Sequence, residues 1–93
     1  MSGAPYQIAW SPTARRDLTK LSEKVAIAAI EFLYGPVAEN PHRTGAALRL
    51  GLEGLHSARR GDHRIVYAID DDDHVVRVVT IEHRSDVYRR RSK

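Results

Sequence analysis

The segment Gly61-Asp62-His63-Arg64-Ile65-Val66-Tyr67-Ala68-Ile69-Asp70 opens with a turn and two basic side chains, then runs directly into residues suited to a buried strand. Strand alternation puts Ile65, Tyr67 and Ile69 on one face and Arg64, Val66 and Ala68 on the other. The bulky set is expected to pack on helices, so Arg64 points to the open face, beside small side chains that leave a floor. In the preceding strand Ser57 and Arg59 share a face, and in the following one Arg77 interrupts an apolar run. An open sheet face lined with guanidinium groups is an anion cradle.

Other chemistries find little support. Asp70 to Asp73 sit together at a hairpin tip, where no concave site for paired carboxylates is expected, and read as a solvated turn. His42, His56, His63, His74 and His83 show no helical pair or finger-like spacing, so no metal site is expected. No glycine-rich phosphate loop precedes a helix, and there is no Gly-x-Ser-x-Gly elbow. What remains is His83-Arg84-Ser85-Asp86-Val87-Tyr88, just beyond the last strand, together with Arg64 and Arg59.

The elements that must position these groups follow from periodicity. Residues 6 to 10 alternate and end before Ser11-Pro12, a strand followed by a helix start in which the serine caps free amides and proline sits in the first turn. Ala14, Leu18 and Leu21 form the stripe of helix one. Ser22 and Glu23 start a second helix, with its stripe at Val25, Ala26, Ala29, Ile30, Phe32 and Leu33. Gly35-Pro36 is expected to break or kink it, with one more turn before Asn40-Pro41 and a connecting loop over 41 to 53. Leu55 to Arg60, Arg64 to Ile69 and Val75 to Ile81 then read as three hairpin-linked strands. One strand, two antiparallel helices and a three-stranded antiparallel meander make an α+β domain with its helices on one sheet face.

The 93 residues suffice for a single domain over 1–93, with 42% hydrophobic and 29% charged residues, the balance of a folded chain. The absence of cysteine fits a reducing cytoplasm, and neither a signal peptide nor a membrane-spanning run is read in the sequence. Net charge is +3, but it is segregated: residues 83 to 93 carry Arg84, Arg89, Arg90, Arg91 and Lys93 against Asp86 alone, while Asp70 to Asp73 form an acidic run. A basic end attracts polyanions.

The Ser11-Pro12 start with Ala14-Arg15-Arg16, Gly54-Leu55, the "GDHRIVY" block, the acidic turn and "HRSDVYRR" together resemble the RelE/ParE superfamily of bacterial toxins, and within it the RelE-like branch. The resemblance covers nearly the whole chain and implies the RelE-like fold. It also implies a small toxin, neutralised by a cognate antitoxin in a heteromeric complex, that cleaves messenger RNA in the ribosomal A site without metal or cofactor. Contact with DNA would arise only through the antitoxin, and no membrane is involved. Attack of a ribose 2′-hydroxyl on the adjacent phosphate needs a base, stabilisation of negative charge on phosphorus, and protonation of the departing 5′ oxygen. By position, the resemblance makes Arg64 the phosphate clamp, Arg84 the charge stabiliser or leaving-group assistant, and Tyr88 the ring that orients or stacks on a base. His83 is the candidate acid or base, because imidazole titrates near neutral pH. Arg59 adds a phosphate contact, and Arg77, Arg89 and Arg90 complete the expected RNA-binding set.

The sequence also departs from the family pattern. RelE carries lysines on the strand before the glycine turn, one of them thought to act as base, where this chain has Leu55, His56 and Ser57. Alternation puts His56 on the opposite face from Arg59, which favours His83. An aromatic often precedes the clamping arginine, and here that position is His63. Two further readings stay open: a ParE-like poison of DNA gyrase acting by protein contacts, and a toxin whose catalysis is weakened by the missing lysines.

Overall fold

The computed structural model describes residues 4–49, 51, 52 and 54–83. Its elements are β1 (Gln7–Trp10), α1 (Pro12–Thr19), α2 (Glu23–Phe32) with a π-helical continuation over Leu33–Val37, α3 (Pro41–Thr44), β2 (Ala46–Ala47), β3 (Leu55–Arg60), β4 (His63–Asp70) and β5 (Val75–His83). The five strands form one sheet in the order β1-β5-β4-β3-β2. The meander is antiparallel as expected, whereas β1 joins β5 in parallel, so the sheet is mixed and has one strand more than the sequence suggested.

The caps form as read. Ser11 Oγ accepts from the Ala14 amide at 3.0 Å and Ser22 Oγ from the Val25 amide at 3.3 Å. Two expectations change in form. Gly35-Pro36 interrupts the regular α-helix as expected, but through a π turn over Leu33–Val37 that accommodates the proline ring rather than through a stop in the helical path. Asn40-Pro41 opens a helix as well as closing one, because Asn40 Oδ1 accepts from the Arg43 amide at 3.3 Å and Pro41 takes the first helical position. The loop expected over 41 to 53 therefore holds α3 and β2.

Ala14, Ala29, Leu33 and Val37 of the helical layer pack on Ala58, Ile65, Tyr67, Val76, Val78 and Ile81 of the sheet. All lie on one sheet face. Leu33, Val37, Ile65, Val76 and Val78 are fully buried, and such side chains each contribute about 1.5–3 kcal/mol by leaving water. Tyr67 is equally buried because its Oη donates to the Pro41 carbonyl at 2.7 Å. Trp10 packs against this core and donates from Nε1 to Tyr34 Oη at 3.2 Å, anchoring the first strand as expected. No helix among the described residues is long and apolar enough to cross a membrane.

One irregularity decides what faces what. From the Asp70↔Val75 end, β4 and β5 pair regularly as far as Tyr67↔Val78, then shift by one residue to Val66↔Thr80. Val79 is the extra residue of a β-bulge, and every position beyond it changes face relative to plain alternation. Ile81 thus enters the core opposite Ile65, and Glu82 comes to lie opposite Arg64.

The bulge falls where β1 has ended at Trp10 and can no longer cover the β5 edge. Helix α1 takes over: the Ser11 amide donates to the Val78 carbonyl at 3.0 Å, Ser11 Oγ donates to the Val79 carbonyl at 2.7 Å, and Asp17 Oδ2 accepts from the Ile81 amide at 3.0 Å. These contacts satisfy backbone groups that the sheet leaves unpaired.

Candidate functional site

The face of the sheet away from the helices is organised in cross-strand rows. Arg59, Arg64 and Glu82 form one, from β3, β4 and β5. Ser57, Val66 and Thr80 form the next and provide a floor of small side chains. Leu55, Ala68 and Arg77 form the third, with Ala9 of β1 beside Arg77. Rows two residues apart are about 6.7 Å from one another, so Arg77 stands about 13 Å along the sheet from Arg64.

Arg64 is the half-buried centre of the first row. Its Nη2 donates to Glu82 Oε1 at 2.8 Å, and the side chains retain 38% and 14% of their exposure. Arg64 Nε is buried and has no hydrogen-bond partner among the described residues. An unsatisfied buried donor costs about 1–3 kcal/mol, so this ion pair does not use the full capacity of the guanidinium. Arg59 is exposed directly opposite Arg64, where two like charges repel across the strands. Three guanidiniums, Arg59, Arg64 and Arg77, against two carboxylates, Glu82 and the distant Asp70, give the described part of this face a positive surplus, and an anion with two oxygens would bridge the repelling pair.

The histidines lie on the other side. The rings of His63 and His83 meet edge to face at 4.9 Å, on the side that carries Ile65 and Ile81. His56 stacks on Tyr67 at 5.7 Å and its Nδ1 is buried without a partner among the described residues. Burial, reinforced by neighbouring His42, lowers the His56 pKa. His83 therefore does not share a face with Arg64: uninterrupted alternation from Arg77 would have carried it there, but the bulge turns it back. Arg84, Tyr88, Arg89 and Arg90 lie outside the described residues.

Two further features flank the site. A cavity of about 310 Å³ on the helix side is lined by Leu21, Val25, Ala28 and Ile81, with Lys24 and His63 among its polar residues. At the opposite end, the acidic turn is more than a solvated tip. Asp71 Oδ1 accepts from Tyr6 Oη at 2.6 Å, and His42 Nε2 lies 2.9 and 3.1 Å from the two carboxylate oxygens, so one side chain ties the N-terminal segment to α3. The hydrogen bond from Tyr6, then that from His42, holds the Asp71 pKa below the usual carboxylate value.

The fold and the arginine rows can be set beside known proteins. The family model for the ParE toxin of type II toxin–antitoxin systems matches residues 8–88. The chain belongs to that toxin family. This toxin is 58% identical to Toxin RelE of Mycobacterium tuberculosis over 85 residues, covering 91% of the chain and 88% of the relative. It is 44% identical to Toxin RelG of the same organism over 86 residues, covering 92% and 99%. The crystal structure of the toxin–antitoxin complex RelBE2 from M. tuberculosis contains a chain that superimposes with a TM-score of 0.85 at 41% identity, covering 91% of this toxin and 98% of that chain. The toxin is thus RelE-like in sequence and in fold, as the "GDHRIVY" and "HRSDVY" blocks imply.

The residue that sequence reasoning passed over is Glu82. Its place opposite Arg64 depends on the bulge at Val79, which no turn residue announces in the sequence.

Proposed function

We propose that this toxin is a metal-independent endoribonuclease that cuts messenger RNA, in the ribosomal A site, by attack of a ribose 2′-hydroxyl on the adjacent phosphate. The observation that carries this reading is the half-buried Arg64 beside Arg59 on the open sheet face, the arrangement a phosphate needs to be held by two oxygens. In the reaction both guanidiniums would face the charge that builds on phosphorus, and the side chain already fixed by the sheet needs little reorganisation. Arg77, about two rows away, would contact a further phosphate of the same strand. Arg84 and Tyr88, and the basic Arg89 and Arg90, keep the roles implied by the family resemblance: leaving-group assistance, base stacking and backbone contact. His83, which packs against His63 on the far side of the sheet, is not assigned the proton transfer.

A cognate antitoxin is the partner in this reading, as RelBE2 is a toxin–antitoxin complex. The apolar cavity beside α2 offers a seat for an extended or helical antitoxin segment. The cytoplasm, which holds messenger RNA and ribosomes, is the place of action.

A second reading has one specific point in its favour: the matching family model is that of ParE, and a ParE-like toxin would poison DNA gyrase through protein contacts. Recovering both messenger RNA and plasmid DNA after brief induction separates the two. The ribonuclease reading predicts cuts within codons and intact plasmid. Intact messenger RNA with gyrase-linked plasmid breaks would replace it with the gyrase reading.

A further inference from the structure

The acceptor for the 2′-hydroxyl proton has to stand on the face that holds the phosphate. His56 and His83 both turn to the helix side, whereas Glu82 stands in the same row as Arg59 and Arg64. Its Oε1 is 2.8 Å from Arg64 Nη2, and 14% of its side chain remains exposed at the row where the phosphate would sit. Asp70, an acid at the far end of the same face, lies six residues along β4 from Arg64, about 20 Å away. Among the described residues of this face, Glu82 is therefore the carboxylate within reach.

We infer that Glu82 is the general base of the ribonuclease reaction, an assignment that rests on the reading proposed above. A phosphate entering the first row meets two cations and one anion. Its non-bridging oxygens go to Arg59 and Arg64, and the Glu82 carboxylate, tethered through Arg64, is left beside the ribose. The 2′ oxygen forms its bond to phosphorus as the bond from phosphorus to the 5′ oxygen breaks, and the 2′ proton passes to Glu82. The departing 5′ oxygen takes a proton from water, and the resulting hydroxide recovers the proton held by Glu82. The products are a 2′,3′-cyclic phosphate and a 5′-hydroxyl, with the enzyme and water restored. A general base of this kind contributes about 10²–10⁴-fold.

Glu82→Gln tests the assignment, because the amide oxygen can still accept from Arg64 Nη2 while the side chain can no longer take a proton. The assay is single-turnover cleavage of a defined messenger RNA, ribosome-bound and free, between pH 4 and 9. Binding is measured in parallel on the same RNA bearing a 2′-deoxyribose at the cut. The expected result is a rate loss of about 10²–10⁴-fold and disappearance of the acid limb of the pH profile, with binding unchanged within about threefold. Glu82→Asp, which keeps the base but shortens its reach, should retain the acid limb at a reduced rate. A Gln variant that cleaves like the wild type, or keeps the acid limb, overturns the assignment. So does a Gln variant that loses binding as much as rate, because Glu82 would then only hold Arg64. A wild-type protein that cleaves neither RNA overturns the ribonuclease reading itself.

Discussion

Asp17 should matter to this protein far more than an acidic residue on a surface helix ordinarily does. Its Oδ2 accepts from the Ile81 amide at 3.0 Å, just past the bulge that sets Glu82 opposite Arg64, on an edge that β1 no longer covers. Asp17→Ala removes a charge-assisted hydrogen bond and leaves a part-buried amide without a partner, a loss of about 1.5–3 kcal/mol. For a domain of 60–100 residues each kcal/mol moves the melting temperature by roughly 4–8 °C, so a fall of about 6–24 °C is expected. Asp17→Asn keeps an oxygen acceptor and should lose about half as much, because neutral hydrogen bonds are about half as strong. Thermal unfolding followed by circular dichroism measures the fall, and amide exchange at Ile81 should accelerate in the Ala variant alone. An Ala variant within about 0.5 kcal/mol of the wild type, the range of ordinary surface changes, would refute the claim that α1 holds this stretch of β5.

Two other changes probe the opposite end of the sheet. A Cβ at Gly45 would stand 2.5 Å from Tyr67 Oη and 2.7 Å from the Ser57 carbonyl, so Gly45→Ala must displace a buried side chain or a strand backbone; a loss of about 1–3 kcal/mol in urea unfolding is expected. The Tyr6–Asp71 contact should make stability depend on pH at both extremes. The Asp71 pKa is lowered in the folded state, chiefly by the Tyr6 hydrogen bond, so its contribution is present above the ordinary carboxylate range and is lost as pH falls into and below it. The Tyr6 pKa is raised, chiefly by the hydrogen bond to Asp71, so its contribution is present below pH 10.0 and is lost as pH rises beyond that value. Tyr6→Phe should flatten the alkaline limb and weaken the acid one in unfolding measured across pH.

Much of this architecture is legible in the sequence because local signals agree with the tertiary fold. Ser11-Pro12 and Ser22-Glu23 place two helix starts, Gly61-Asp62 places the β3–β4 turn, and the alternation of Ile65, Tyr67 and Ile69 identifies the core face. Arg59, Arg64 and Arg77 share the open face for the same reason. What could not be read depends on contacts between distant segments. The pairing of β1 with β5 joins residues about 68 apart, and β2 is two alanines whose only strand signal is the partner they meet. The position of His83 was hidden by the bulge, since period-2 reasoning holds only while the ladder is regular. Pro36 announced the interruption of the α-helix but not its form, a π turn that accommodates the proline.

The measurement that tests the central claim most directly is the mapping of messenger RNA 5′ ends by primer extension after brief induction of the wild type and of Arg64→Ala. The account predicts discrete cuts within codons for the wild type. In the variant, which loses one of the two guanidiniums proposed to face the phosphate, those cuts should weaken by about 10²–10³-fold while the protein still folds and still binds its antitoxin. Undiminished cuts in Arg64→Ala, or growth arrest by the wild type with its messenger RNA intact, would contradict it.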